Sequence, residues 1–189
     1  QLLSGTWFHA RFSFKEISFW TLVLCSFLIV IINSINLGTT YGVDSYPTTY
    51  LIIEELQEMS IYFFAIILLF YSGELIWKEK EVKFDLIYGT TSVSSIIDLG
   101  SKFLGLLCVY VMVIFALILG GILFQIGSGY DEVELSVYFQ GFFLEIFPFL
   151  VLHTFASFFF HMLTGKKFLG ILMTLMFFIV YVAIGIFGI

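Results

Sequence analysis

Charge is what this sequence has least of. Only 12% of its 189 residues are charged, about half of what a soluble domain carries, and too few to cover a water-facing surface. Cysteine is nearly absent too: Cys25 and Cys108 both sit within apolar runs, where a thiol reads as a small hydrophobe rather than half of a disulfide. No glycine-rich lysine motif of the Walker type occurs, nor any His-Glu-x-x-His run. His9, His153 and His161 lack the i, i+4 spacing of metal ligands on one helix. The chain therefore offers no catalytic or metal-binding signature, and it contains no internal repeat or low-complexity linker.

What is present is apolar. Hydrophobic residues make up 60% of the chain, 25 of them phenylalanine, and the mean hydropathy is +1.07. A membrane-crossing helix needs about 20 apolar residues, and five segments qualify: Ser18 to Leu37, Met59 to Trp77 (its helix starting earlier, near Tyr50), Lys102 to Ile126, Phe139 to Leu163 and Phe168 to Ile189. None holds a Lys or Arg in its interior, where each costs about 2.5–3.5 kcal/mol. The expected fold is all-α: a polytopic transmembrane helical bundle. Pro148 is expected to kink the fourth span, and the Gly120–Gly121 pair permits close helix contact.

The connections alternate in charge. All 8 Lys and Arg lie before the first span (Arg11, Lys15), between the second and third (Lys78, Lys80, Lys83, Lys102) or between the fourth and fifth (Lys166, Lys167). The other connections carry acids: Asp44, Glu54, Glu55 and Glu58, then Asp131, Glu132, Glu134 and Glu145. Because basic residues stay on the cytoplasmic side, the expected topology puts the N-terminus inside and the end of the fifth span outside. The segment 1–17 mixes aromatics with basic residues and reads either as an interfacial helix on the cytoplasmic leaflet or as a lead-in with anchoring aromatics.

The longest inner connection, 77–101, opens with Gly73-Glu-Leu-Ile-Trp-Lys-Glu-Lys-Glu81, whose alternating charges extend the second helix past the membrane surface. A cluster of capping residues, Thr90 to Ser95, then predicts a short helix from Ser94 into Asp98, with Lys102 opening the third span. Such an element suits pushing against a cytoplasmic partner; a solvated connector fits equally well.

Here the sequence resembles a family. Tyr71-Ser-Gly-Glu-Leu-Ile-Trp-Lys-Glu-Lys80, followed by Asp85, Ile87, Val93 and Ser101-Lys102, is similar to the permease subunits of type-2 ABC exporters, and most to the second permease half of bacterial permease/zinc aminopeptidase fusion proteins. Tyr46-Pro-Thr-Thr-Tyr50, Gly121 through Gln125, Gly129-Tyr130, Glu134, Tyr138 and Lys167-Phe-Leu-Gly170 also match, from about Gly38 onward. The chain departs from the pattern at Ser92 and Ser94, where the family carries prolines. The resemblance implies a single permease domain, 1–189, with five of six spans present and more protein beyond its ends. It implies a coupling helix in the 77–101 loop that docks on a separate ATP-binding subunit, with Glu74, Trp77, Lys78, Lys80, Asp85, Val93 and Lys102 in docking and stiffening roles. ATP and Mg would belong to that subunit, and this chain would hold no cofactor and no catalytic residue. The other expected partners are a second permease half and membrane lipid, with no nucleic acid, in a bacterial inner membrane.

Three acidic or histidine features remain. Glu54, Glu55 and Glu58 form an outer acidic cluster, read either as carboxylates near a helix N-terminus or as a vestibule for a cation. Glu145 and His153, about two turns apart in the fourth span, form a candidate intramembrane polar site, His153 being either a contact between helices or a proton or substrate site. His161 reads as an interfacial residue. The competing functions are a membrane anchor for a fused peptidase and an ion-coupled transporter using Glu145 and His153.

Overall fold

The computed structural model describes residues 6, 17–36, 47–81, 95–130 and 132–187, all in helices or their short connections. The segment 1–17 is therefore almost wholly outside the described residues. So are Asp85, Val93 and the side chains of Lys78 and Lys80. In order the helices are α1 (Ile17–Asn36), α2 (Thr49–Glu81), α3 (Ser95–Gly127), α4 (Leu135–Phe139), a π-helical segment (Gln140–Ile146), α5 (Phe147–Thr164) and α6 (Lys167–Phe187). Among the described residues, four stretches are long and apolar enough to cross a membrane: Thr49–Trp77, Ile96–Gly127, Leu135–Thr164 and Lys167–Ile184. α1 runs 20 residues, and its apolar stretch among the described residues is Trp20–Val30. The protein is an all-α, multi-pass membrane protein.

α2 and α3 each run 33 residues, about 50 Å at 1.5 Å per residue, well beyond the roughly 30 Å of hydrocarbon. The expected short helix around Asp98 does not stand apart from the third span; α3 is continuous from Ser95. Asp98 favours that start by sitting in the positive first turn. It also holds Lys102 at 2.8 Å, one turn on, so the lysine turns inward and is only 5% exposed. α3 ends in a Schellman motif: Gly129 takes φ +80°, Tyr130 N–H donates to the Gln125 carbonyl and Gly129 N–H to that of Ile126.

The fourth span is irregular in a way that Pro148 explains. Proline has no N–H and its ring crowds the carbonyl four residues earlier. The chain widens just before it, and Phe147 N–H donates to the Phe142 carbonyl, five residues back. The break is thus a π turn N-terminal to the proline. α5 and α6 are joined through Gly165, at φ +60°.

The chain divides into two compact units. Unit 1 comprises Gln1–Phe12, Ala65–Cys108 and Leu150–Ile189; unit 2 comprises Ser13–Phe64 and Val109–Phe149. The buried core of unit 1 includes Ile67, Leu68, Leu106, Leu150 and Phe158, with Phe103 set edge-on to Phe158 at 5.8 Å. That of unit 2 includes Ile52, Leu56, Phe64, Tyr110, Leu117 and Phe142, with Phe64 edge-on to Tyr110 at 5.9 Å. Large apolar side chains also point outward on every span, as along α1 at Trp20, Leu24, Leu28 and Ile32, where lipid is the compatible surround. Both cysteines are free thiols.

Candidate functional site

In unit 1 the polar side chains of three helices meet in a seam. On α5, His153, Ser157 and His161 recur every four residues and so share one face; all three are at most 1% exposed. The α6 partners come in the reverse order. His153 lies among the rings of Phe177, Phe178 and Tyr181, with centroids at 5.2, 6.0 and 4.9 Å. Ser157 meets Thr174, whose hydroxyl reaches Ser157 Oγ at 3.1 Å and the Gly170 carbonyl at 2.9 Å; its single proton serves one of them at a time. His161 lies against Gly170, where an added Cβ would overlap the imidazole ring.

The third wall of the seam is α2. Ser72 and Ser157 share a hydrogen bond of 2.7 Å, which either hydroxyl can donate. One turn on, Trp77 Nε1–H donates to His161 Nδ1 at 3.1 Å. Between these two layers, a Cβ on Gly73 would meet the His161 ring and Ile171 at 3.4 Å, in ordinary contact. Two layers of hydrogen bonds therefore fasten the last turns of α2, before it ends at Glu81, onto α5 and α6. Polar contacts of this kind between membrane helices average about 0.6 kcal/mol and reach about 1.7.

Unit 2 holds a second buried network. Gln125, wholly buried near the end of α3, donates through Nε2 to the Pro47 carbonyl and to Thr49 Oγ1, both at 3.1 Å. Its Oε1 accepts from the Tyr138 hydroxyl at 2.7 Å, and Glu134 N–H donates to Thr49 Oγ1 at 3.3 Å. Both amide protons and the amide oxygen of Gln125 are thus engaged. Gly121 makes room for this: a Cβ there would stand 2.9 Å from the Tyr138 oxygen and 3.0 Å from Leu56. Gly120 faces Val30 of α1 at 3.0 Å in the same sense.

Glu145 and His153, read from the sequence as one candidate polar site, fall in unit 2 and unit 1 respectively. His153 is buried at 1% exposure, whereas Glu145 is exposed and accepts from Gln57 Nε2 at 2.9 Å. Gln57 also donates to the Gly141 carbonyl at 2.9 Å, and Gly141 lacks the Cβ that would strike Ile53 and Gln57. Gln57, Glu58, Ile61, Tyr62, Glu145 and Ile146 line an open cleft of about 500 Å³.

Of the acidic cluster, Glu54 and Glu58 are exposed and Glu55 is half-buried. Because α2 already starts at Thr49, all three lie beyond its first turn, where the helix-dipole effect has faded. Glu74 and Trp77 are half-buried. His161, read from the sequence as interfacial, is buried among the helices of unit 1. The polar stripe His153–Ser157–His161 in an otherwise apolar helix was the signal that could have placed it. No group of three or more potential metal ligands occurs among the described residues. Compared with protein-family models, curated proteins and solved structures, the chain matches none.

Proposed function

We propose that this chain is the transmembrane permease component of an ATP-driven exporter of the type-2 ABC class, driven by a separate ATP-binding subunit. In this reading ATP and Mg belong to that subunit, the N-terminus and the 77–101 loop face the cytoplasm of a bacterial inner membrane, and a second permease half completes the transport unit. The observation that carries the reading is the fastening of the loop end of α2: Trp77 to His161 on α5, and Ser72 through Ser157 to Thr174 on α6. A push on the loop is then delivered to three helices together rather than dissipated in one. α2 and α3, each about 50 Å long, are stiff enough and long enough to carry the loop clear of the bilayer. Alternating access would follow from a shift in the packing of these helices.

The test is co-purification of the full chain with its ATP-binding subunit, with and without residues 90–98. Loss of association on deletion supports the reading. Association unchanged by the deletion counts against the coupling role and favours a membrane anchor. Transport that stops with a protonophore and needs no ATPase would favour the ion-coupled alternative.

A further inference from the structure

The cleft in unit 2 holds carboxylates that the chain leaves without a cation. Glu58 stands more than two turns into the span Thr49–Trp77, and Glu145 more than two turns into Leu135–Thr164. Carboxylates inside a span are costly and take a partner. Yet no described residue of unit 2 is Lys, Arg or His. Glu58 makes no hydrogen bond or ion pair with any described residue. Glu145 is met at Oε2 by a neutral donor, Gln57 Nε2, and its Oε1 takes no bond from the described residues. Tyr62 is exposed, with no hydrogen bond or ring contact among them. The rest of the cleft wall is apolar: Ile61 from α2, and Ile146, which with Glu145 closes the π segment. Such π turns within helices are frequent at functional sites.

A bare metal ion does not suit this cleft. It asks for several oxygens at once, and no group of three or more potential ligands occurs among the described residues. A volume of about 500 Å³ is also that of a small-molecule site rather than an ion's. We propose that the cleft binds a hydrophobic organic cation. Its charge lies by Glu58 and Glu145, and its apolar body lies against Ile61, Ile146 and the Tyr62 ring, whose face also attracts a cation. Gln57 is a positioning residue: its amide donates both to Glu145 and to the Gly141 carbonyl, and so holds the carboxylate on the cleft wall. The same carboxylates repel an anion of equal size and hydrophobicity. The inference stands on unit 2 and does not rest on the exporter reading.

The test is equilibrium binding of radiolabelled tetraphenylphosphonium to the full chain in phosphatidylcholine nanodiscs. Empty nanodiscs measure its partition into lipid, and tetraphenylborate serves as an anion of the same shape. The proposal predicts a saturable component for the cation beyond lipid partition, and none for the anion. Glu58→Gln and Glu145→Gln should each weaken it about fivefold, and the double substitution should remove it. Both changes keep the side chain's size, and Glu145→Gln retains an oxygen that accepts from Gln57, so the fold is preserved. Glu54→Gln, which removes an exposed carboxylate of α2 outside the cleft wall, should leave binding unchanged. Cation binding no greater than in empty nanodiscs, saturable binding of tetraphenylborate, or binding that survives the double substitution overturns the proposal. A loss as large with Glu54→Gln as with Glu58→Gln also overturns it, because the attraction would then belong to the charge of the whole face. Since no ATP-binding subunit is present, failure here leaves the co-purification result untouched, and failure there leaves this one untouched.

Discussion

The two buried networks use the same materials to opposite ends. In unit 2 every hydrogen-bonding group of the Gln125 amide has a partner, and the residues that meet it (Pro47 and Thr49, and Tyr138) come from two places in the chain. In unit 1 the seam joins three helices as well, but it leaves His161 Nε2 unmatched. A fully satisfied polar network in a low-dielectric interior fixes one arrangement, because any departure leaves buried groups bare. A network with one donor unsatisfied holds its arrangement less firmly, because leaving it recovers part of the cost. Unit 2 has the construction of a fixed joint and unit 1 that of a releasable one.

The contrast has measurable consequences, beginning with the largest. Gln125→Leu leaves the Tyr138 hydroxyl without its acceptor and takes away two amide donors, and should destabilise the protein by about 3 kcal/mol in equilibrium unfolding from bilayers. A cost near zero would mean that the network is ornamental and the contrast void. Gly170→Ala should cost about 2 kcal/mol through overlap with the His161 ring. In a His161→Ala background most of that cost should vanish, a coupling that a double-mutant cycle reads directly; additive costs would show that the glycine serves something other than the imidazole seat. The smallest effect is expected from Ser157→Ala, about 1 kcal/mol, as for other hydroxyl contacts between membrane helices. Should this substitution cost as much as Gln125→Leu, unit 1 would be no looser than unit 2.

Much of the fold was legible in the sequence, because span length and the cost of burying charge are local properties. The apolar stretches of α2, α3, α5 and α6 lie where their composition placed them, and the start of α2 at Thr49 agrees with an onset near Tyr50. Less legible was whatever depends on rotational phase. Pro148 announced a kink in the fourth span, but not that the chain would take it up as a π turn over Gln140–Ile146. The span break expected before Lys102 is bridged by its ion pair with Asp98, a contact within one continuous helix. Gln125, Tyr138 and Thr49 stood out in the sequence only through a resemblance; nothing in their spacing announced a shared network, because 76 residues separate Thr49 from Gln125.

The sequence by itself determined that this protein lives in a membrane, and where its helices run. Those properties follow from summing transfer free energies along the chain, a sum that needs no knowledge of neighbours. Only the tertiary structure decided which polar groups inside the bundle are satisfied and which are not. That depends on which faces of separate helices meet, and at distances of about 3 Å a single added methyl at Gly170 or Gly121 is enough to prevent the meeting.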